Sequence, residues 1–367
     1  MTAQIGQEGF HMQLFNFIRL IRQFLLASLL FVSSTGAWAT SSCKANYSAF
    51  TLSMPASVAV ARDAANGSLL TAWVQTSQLT NYYTCTVTQS TGTGVDFETA
   101  GIVTSTRTAY QVPYNGYSLS VYPTNVPGIG IAMGGSIYIN GCNWGAFTDF
   151  SRLGAQCNSN GTVTNGGQLV VALVKTGDIT PGTVSGLVAQ AFSWEGATSA
   201  PAGDNPAAGV INFSITPVAI TVMTCTTPDV SVPMGTFKTT DFPSVGSLSP
   251  NPAGFAIQLL NCPGGTAVSG TQAGQIHSIQ YRIDPTSGTL ATNVAALSGS
   301  PSATGVGIEL FNSSGAVFPL ATSTTLSGYN SASGGSYSIP MTARYYRTGT
   351  VTAGPANATM TLTVSYQ

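Results

Sequence analysis

Apolar and polar residues alternate most regularly near the C-terminal end of the chain. From residue 354 to 366 every even position is small or apolar, and the odd positions from 357 to 365 are all polar. Side chains of a β-strand point alternately to opposite faces, so this pattern predicts a strand with one buried face. On the pattern alone, such a strand is typical of the edge of a β-sandwich. The even positions include Gly354, Met360, Leu362, Val364 and Tyr366.

Short runs rich in β-forming residues, separated by turn signals, fill the first half of the chain. They predict strands at residues 69–74, 118–122, 136–139 and 168–174. Asn-Gly dipeptides at 66–67, 115–116 and 160–161 are typical of tight turns. We therefore predict an all-β chain.

The predicted boundary between two domains lies after residue 216. Residues 196–209 are rich in Pro, Ala and Gly and predict a loop before one more strand at 210–215. Pro217 cannot donate a backbone hydrogen bond and is not expected within a central strand. The predicted units are a first domain at 40–216 and a second at 217–367.

The composition agrees with an exported β-protein. Charged residues are 6% of the chain, against roughly 25% in ordinary soluble domains. A formal net charge of −1 argues against nucleic acid as a partner, because nucleic-acid binding requires a basic surface. A hydrophobic content of 43% argues against disorder.

Residues 1–39 predict an export signal. Arg19 and Arg22 form a basic segment, residues 24–32 are apolar, and Ala37-Trp38-Ala39 fits the cleavage rule. The apolar run is shorter than the roughly 20 residues of a membrane span, and we expect no span in the mature chain. Met12 is an alternative start to Met1.

Six cysteines in an exported chain predict three disulfides. Their order along the chain favours Cys43–Cys85, Cys142–Cys157 and Cys225–Cys262. The alternative is a reactive or metal-bound thiol, which the histidine content weakens, because His277 is the only histidine after the predicted signal. We expect no metal site and no cofactor.

The same residues argue against an enzyme. His277 lies in the second half, which excludes a Ser–His pair from the first. The carboxylates of the first half show no paired arrangement of the kind that hydrolases use. They are Asp63, Asp96, Glu98, Asp149, Asp178, Glu195 and Asp204.

The second half resembles the subunits of bacterial chaperone–usher fimbriae. The resemblance rests on Gly354, thirteen residues before the end, on the penultimate Tyr366, and on segments 230–235, 255–262, 305–310 and 341–346 in order with Cys225 and Cys262. It implies an immunoglobulin-like β-sandwich that lacks its last strand. It also implies three partners: a periplasmic chaperone that pairs with residues 360–366, an outer-membrane usher, and a neighbouring subunit that donates the missing strand.

One departure distinguishes this chain from a shaft subunit, which begins with an alternating segment that it donates. Here Thr40, Ser41 and Ser42 alone separate the predicted cleavage site from Cys43, a reach of about 10 Å. The chain therefore resembles a two-domain tip adhesin of type 1 or type 3 fimbriae, with two immunoglobulin-like sandwiches in tandem. The first half also shares Arg62-Asp63-x-x-x-Gly67-x-x-Leu70 and the segment 124–130 with type 3-like adhesin domains.

The resemblance implies that the protein sits at the fimbrial tip, outside the cell, and attaches a Gram-negative bacterium to a host glycan or matrix protein. The alternative is a structural minor pilin or adapter subunit that binds no receptor.

A sugar site needs an aromatic face and converging polar side chains. Three groups in the first half fit this need. They are Asn81, Tyr82 and Tyr83 before Cys85; Tyr110, Tyr114, Asn115, Tyr117 and Tyr122 around a turn; and Asn143, Trp144, Asp149 and Arg152 within the predicted short disulfide loop. Each group has a structural alternative: core tyrosines, a tryptophan packed on a disulfide, and a solvated Asp149–Arg152 ion pair.

Overall fold

The computed structural model describes residues 42–87, 91–141, 143–150, 161–197, 203–300 and 302–367. Within these ranges the chain folds into strands, with two 3-10 turns at Pro206–Ala208 and Thr239–Asp241. The all-β prediction is confirmed. No helix in these ranges has the length and apolar character needed to cross a membrane. The predicted export signal, Cys142, Cys157 and Arg152 lie outside the described residues.

The described residues of the first half form fourteen strands, which are numbered in chain order. They are β1 (Ser42–Ala45), β2 (Ala49–Leu52), β3 (Ser57–Ala61), β4 (Val74–Gln75), β5 (Leu79–Val87), β6 (Thr91–Thr99), β7 (Gln111–Tyr114), β8 (Tyr117–Pro123), β9 (Ile129–Ile139), β10 (Asn143–Phe147), β11 (Gly161–Lys175), β12 (Gly182–Ala197), β13 (Gly203–Asn205) and β14 (Ile211–Met223).

These strands form two sheets that pack face to face. One has the order β1-β5-β11-β9-β8-β7, with β4 beside β11 and β10 beside β9. The other has the order β13-β12-β14-β2, with β3 beside β14 and β6 beside β12. Aromatic rings from both sheets meet in the core, where Tyr82 lies 6.3 Å from Phe97 and 6.0 Å from Phe213 between ring centroids.

The second half contains eight strands in two further sheets. The larger sheet has the order β15-β21-β19-β18-β17 and the smaller the order β20-β16-β22. Their ranges are β15 (Ala253–Cys262), β16 (Ile279–Pro285), β17 (Thr289–Ala291), β18 (Val294–Ala295), β19 (Thr304–Asn312), β20 (Thr324–Thr325), β21 (Gly335–Thr352) and β22 (Met360–Tyr366).

The terminal strand predicted from the alternating pattern is confirmed as β22. Val364 and Tyr366 are buried, Met360 and Leu362 are half-buried, and the threonines between them are exposed. β22 is the last member of its sheet and pairs with β16. Its other edge has no strand beside it among the described residues.

The predicted strand end at Pro217 is wrong, because β14 continues to Met223. Pairing with β12 shifts register between Val184–Val218 and Gly186–Ile215, which is a β-bulge. On the other edge of β14, the pairing with β2 ends at Ile215 and the pairing with β3 begins at Ala219. Pro217 therefore lies where both ladders are interrupted, so its missing N–H breaks no strand pair.

Two of the three predicted disulfides lie among the described residues, and both are confirmed. Cys43–Cys85 joins β1 to β5, and Cys225–Cys262 joins the segment after β14 to the end of β15. In the loop-closure model, crosslinks of this span stabilise a fold by roughly 4 kcal/mol each.

The two halves also touch directly through the backbone. The N–H of Gly274 donates to the carbonyl of Ala59 at 2.8 Å, and that of Gln272 donates to Leu69 at 2.9 Å. β3 thus pairs with β14 along one edge and contacts the segment that precedes β16 along the other. These two hydrogen bonds are direct backbone contacts between the first half and the second half.

A fragment of residues 40–216 should fold far less well than one of residues 40–224. The shorter fragment cuts β14 and removes Val218, Ile220 and Met223, which are all buried. At about 1.5–3 kcal/mol each, their loss costs roughly 5–9 kcal/mol, close to the whole stability of a domain. Circular dichroism melts compare the two fragments, and equal melting temperatures would contradict the role of residues 217–223.

Candidate functional site

The first half carries a cleft of about 400 Å³ at one side of its sheets. It is lined by Glu98, Thr99, Ser105, Arg107, Tyr122, Asp149 and Phe150. Glu98 and Thr99 come from the end of β6, Tyr122 comes from β8, and the remaining residues lie on segments between strands. Loops on a rigid β-scaffold are a common place for binding residues.

The charged pair in the cleft is formed by residues far apart in sequence. Arg107 Nη1 donates to Asp149 Oδ2 at 2.8 Å. The segment that carries Asp149 is held by a bond from the Ser120 N–H to the Thr148 carbonyl at 2.9 Å. The side chain of Arg107 is 53% exposed and that of Asp149 is 24% exposed, so both remain within reach of a ligand.

An aromatic corner closes the cleft beside this pair. The Phe150 N–H donates to the Tyr122 hydroxyl at 3.0 Å, and the two rings meet edge to face at 5.4 Å. Burial raises the pKa of Tyr122, although the bond from Phe150 opposes this. The hydroxyl therefore keeps its proton at neutral pH. An aromatic wall with carboxylate, guanidinium and hydroxyl groups is suited to a ligand rich in hydroxyls.

The structure adds a residue to the predicted charged group. Asp149 lies in the cleft and pairs with Arg107. Arg152 lies outside the described residues, so the Asp149–Arg152 pair stays a prediction. Sequence reasoning missed Arg107 because nothing in the local pattern links it to a carboxylate 42 residues later. The one available signal was its charge, in a chain where charged residues are 6% of the total.

The predicted pair Tyr82 and Tyr83 belongs to the core and not to a ligand surface. Both side chains are fully buried on β5. The Tyr83 hydroxyl donates to the Ala191 carbonyl at 2.7 Å and to that of Gly209 at 3.0 Å. Burial raises the pKa of Tyr82 to about 12. Neither ring has an accessible face on which a sugar could stack, which corrects this part of the prediction.

Tyr114 and Tyr117 flank the tight turn between β7 and β8, which positive φ angles at Asn115 and Gly116 make possible. Tyr117 is 51% exposed. The Tyr114 hydroxyl donates to Gln75 Oε1 at 2.8 Å, and its ring packs 4.8 Å from that of Trp73. This hairpin is an exposed aromatic surface that is separate from the residues lining the cleft.

Asn143 and Trp144 lie on β10, which pairs with the end of β9. The Trp144 side chain is 38% exposed, and its ring lies 5.2 Å from that of Tyr138, which is opposite it on β9. Trp144 is not among the described residues that line the cleft. Of the predicted group, Trp144 therefore lies on this hairpin and Asp149 lies in the cleft.

A second candidate site is the open edge of β22. Ser278 and Gln367 exchange backbone hydrogen bonds, and the Thr286 N–H donates to the Thr359 carbonyl. Because bonded and non-bonded pairs alternate in an antiparallel ladder, the odd residues of β22 face β16. The N–H and C=O groups of Met360, Leu362, Val364 and Tyr366 must face the opposite edge, along which a further strand can pair.

Comparisons with known proteins settle the family. A family model described as fimbrial protein matches residues 205–367. The type-1 fimbrial protein A chain of Escherichia coli K12 is 35% identical over 141 residues, covering 38% of this chain and 72% of that protein. The chain belongs to the fimbrial protein family.

Two solved structures are similar in fold. The CupB6 tip adhesin from Pseudomonas aeruginosa is 17% identical, with a TM-score of 0.33, over 89% of this chain and 93% of that one. The receptor binding domain of the adhesin MrkD1P of Klebsiella pneumoniae is 21% identical, with a TM-score of 0.31, over 51% of this chain and 99% of that one. At TM-scores below 0.5, neither likeness decides a function.

Membership of the fimbrial family implies export to the cell surface as part of a pilus. The matched region contains both sheets of the second half, the Cys225–Cys262 disulfide and the whole of β22. It starts at residue 205, before β14, so the family pattern includes the strand that links the two halves. The cleft residues all lie before the matched region, in the part of this fimbrial protein that the family model does not match.

Replacing Tyr83 with Phe should lower the free energy of unfolding by about 1–3 kcal/mol, because it removes the buried hydrogen bond from the Tyr83 hydroxyl to the Ala191 carbonyl. Tyr117→Phe is the matched control and should change stability by less than about 0.5 kcal/mol, because its side chain is exposed. Urea unfolding of the 40–224 fragment measures both. Equal effects would contradict the assignment of Tyr83 to the core.

Proposed function

We propose that this fimbrial protein is a tip adhesin. Its first half binds a host glycan in the cleft at Arg107 and Asp149, and its second half joins the pilus by accepting a strand along β22. The observation that carries the proposal is the division of labour within one chain: a first sandwich with a polar cleft is followed by a sandwich whose terminal strand β22 has no strand beside one edge among the described residues.

The open edge supports assembly by strand addition. The outward-facing groups of Met360 and Leu362 have no strand partner among the described residues, and both side chains are half-buried. A strand laid along this edge satisfies the backbone groups and covers the apolar side chains. The partners of this step are a periplasmic chaperone, the outer-membrane usher and then the next subunit of the fimbria.

The first half supports a place at the tip, because its described strands are not available for donation. β1 is paired with β5 and fixed by the Cys43–Cys85 disulfide. The alternating stretch of β14 buries Ile211, Phe213 and Ile215 between β12 and β2. A subunit that accepts a strand and has none of its described strands free to donate is suited to the end of the fibre.

The cleft supports a glycan over a matrix protein as the receptor. Its volume of about 400 Å³ suits one or two sugar rings and is small for a folded protein surface. Arg107, Asp149 and Ser105 supply hydrogen-bonding groups for sugar hydroxyls, and Phe150 supplies an apolar face.

The binding proposal is tested on the full mature chain, stabilised by a bound strand peptide, with glycan and matrix-protein arrays. Asp149→Asn and Arg107→Gln should each weaken glycan binding at least tenfold, because each removes a charge-assisted hydrogen bond. Arg282→Gln and Asp284→Asn, which remove a similar exposed pair in the second half, should leave binding unchanged.

Binding to matrix proteins alone would overturn the glycan assignment. A folded protein that binds neither class yet assembles into fimbriae would favour the alternative, a structural adapter subunit.

Replacing Leu362 with Asp should abolish capture by the chaperone, because a charge would have to enter the apolar groove that the incoming strand covers. Thr363→Asp is the matched control, since its side chain lies exposed on the opposite face of β22. Co-purification with the chaperone and the periplasmic level of each variant provide the measurement. Normal surface display of Leu362→Asp would contradict strand addition at this edge.

A further inference from the structure

We propose that Arg62 and Asp63 of the first half act as a stop on the open edge of β22, so that an incoming strand pairs from Met360 to Val364 and no further. The inference rests on the proposed strand addition at this edge. It adds a contribution of the first half: these two residues decide how much of the edge a partner can use.

Asp63 already occupies the edge at Tyr366. Its backbone N–H donates to the Tyr366 carbonyl at 3.0 Å, and its Oδ2 accepts from the Tyr366 N–H at 2.9 Å. A residue of a neighbouring strand makes the same two bonds with its backbone. Asp63 therefore takes the place of one strand residue, and its carboxylate substitutes for the backbone carbonyl.

Arg62 occupies the next outward-facing acceptor along β22. Its Nη2 donates to the Val364 carbonyl, and its guanidinium lies 4.8 Å from the centre of the Tyr366 ring. The same side chain pairs with Asp63 at 2.9 Å. Three of the outward-facing groups, namely the Val364 carbonyl and both groups of Tyr366, are thus already bonded to the first half.

The groups that remain define the available length of edge. They are the N–H and C=O of Met360, the N–H and C=O of Leu362, and the N–H of Val364. A strand that continued past Val364 would meet the guanidinium of Arg62 and find both backbone groups of Tyr366 bonded. The incoming strand must end or turn away at this point.

The stop is held by the scaffold of the first half and does not depend on the partner. The Arg62 N–H donates to the Met223 carbonyl at the end of β14, and the Ala64 N–H donates to the Ala61 carbonyl. Farther along the turn, the Gly67 N–H donates to the Lys175 carbonyl, and Leu70 is buried. Gly67 has a φ of +84°, and an added Cβ would lie 3.1 Å from the Tyr110 ring.

These contacts give a physical role to each residue of the Arg62-Asp63-x-x-x-Gly67-x-x-Leu70 pattern. Gly67 and Leu70 shape and anchor the turn, and Arg62 and Asp63 reach the second half. Lys175 is a second cation, besides Arg62, that interacts electrostatically with the Asp63 carboxylate. Its Nζ donates to Asn66 Oδ1 at 2.9 Å. The pattern is thus accounted for by contact with β22 and does not require a receptor.

The test uses the full mature chain and a series of synthetic peptides of alternating apolar and polar residues. A core peptide spans the edge from Met360 to Val364, and further peptides extend it by two residues at one end or the other, so that either strand direction is covered. In the wild type the extension that reaches Tyr366 should not tighten binding.

In the double variant Arg62→Ala/Asp63→Ala, the extension that reaches Tyr366 should tighten binding roughly tenfold, because it gains two backbone hydrogen bonds. The matched control is Arg282→Ala/Asp284→Ala, an ion pair of similar exposure on β16, and it should behave as the wild type. Asp63→Asn keeps an acceptor oxygen and should retain the stop, which provides a milder variant if the double substitution impairs folding.

Amide hydrogen exchange in the complex with the core peptide gives a second readout. The Tyr366 N–H should be protected in the wild type and in the control, and should exchange at least tenfold faster in the double variant. Equal gains from the extension in wild type and double variant, or a Tyr366 amide unprotected in the wild type, would overturn the stop. Failure of every peptide to bind, with Tyr366 still protected, would overturn strand addition and leave the contact between the halves in place.

Discussion

The fold of this fimbrial protein depends on how the backbone groups of β22 are divided between its two edges. The backbone N–H and C=O groups of the odd residues bond to β16. Those of the even residues point away from β16, while the side chains of the even residues point towards the core. An unpaired strand edge over a half-covered core is costly, because buried backbone groups need partners and apolar surface is driven from water. At Val364 and Tyr366 the first half supplies partners for the backbone groups that point away from β16, and at Met360 and Leu362 no strand lies beside this edge among the described residues.

β14 has a similar organising position in the first half. It lies between β12 on one edge and β2 followed by β3 on the other, and it crosses the break between those two strands with Pro217 in a bulge. Its last residue, Met223, bonds to Arg62, and the disulfide at Cys225 follows two residues later. The strand that completes the first sandwich thus leads directly into the contact with the second. The halves are joined by the isolated bridge between Val60 and Ala273 and by hydrogen bonds, as well as by the chain itself.

The cleft illustrates how a binding surface is assembled from separate segments on such a scaffold. Arg107 and Asp149 lie on different connections and meet because the strands between them return to the same side of the sheets. The aromatic residues that stand out in the sequence mostly serve packing. Tyr82 and Tyr83 fill the core, Tyr114 packs on Trp73, and Phe150 alone lines the cleft with Tyr122.

Features that depend on a local pattern can be read from the sequence alone. Alternation predicts β22 and its buried face, the Asn115-Gly116 dipeptide predicts the β7–β8 turn, and cysteine order predicts Cys43–Cys85 and Cys225–Cys262. Each is a short-range signal, or follows from a single residue type. The remaining features depend on how the strands pack together. Whether a tyrosine is core or surface depends on the opposing sheet, whether Pro217 ends a strand depends on interruptions in two neighbouring ladders, and the partners of Arg107 and Asp63 lie 42 and 303 residues away. Contacts over such distances arise when separate strands pack together. The sequence pattern shows which face of a strand is buried, but it does not show which distant residue will contact it.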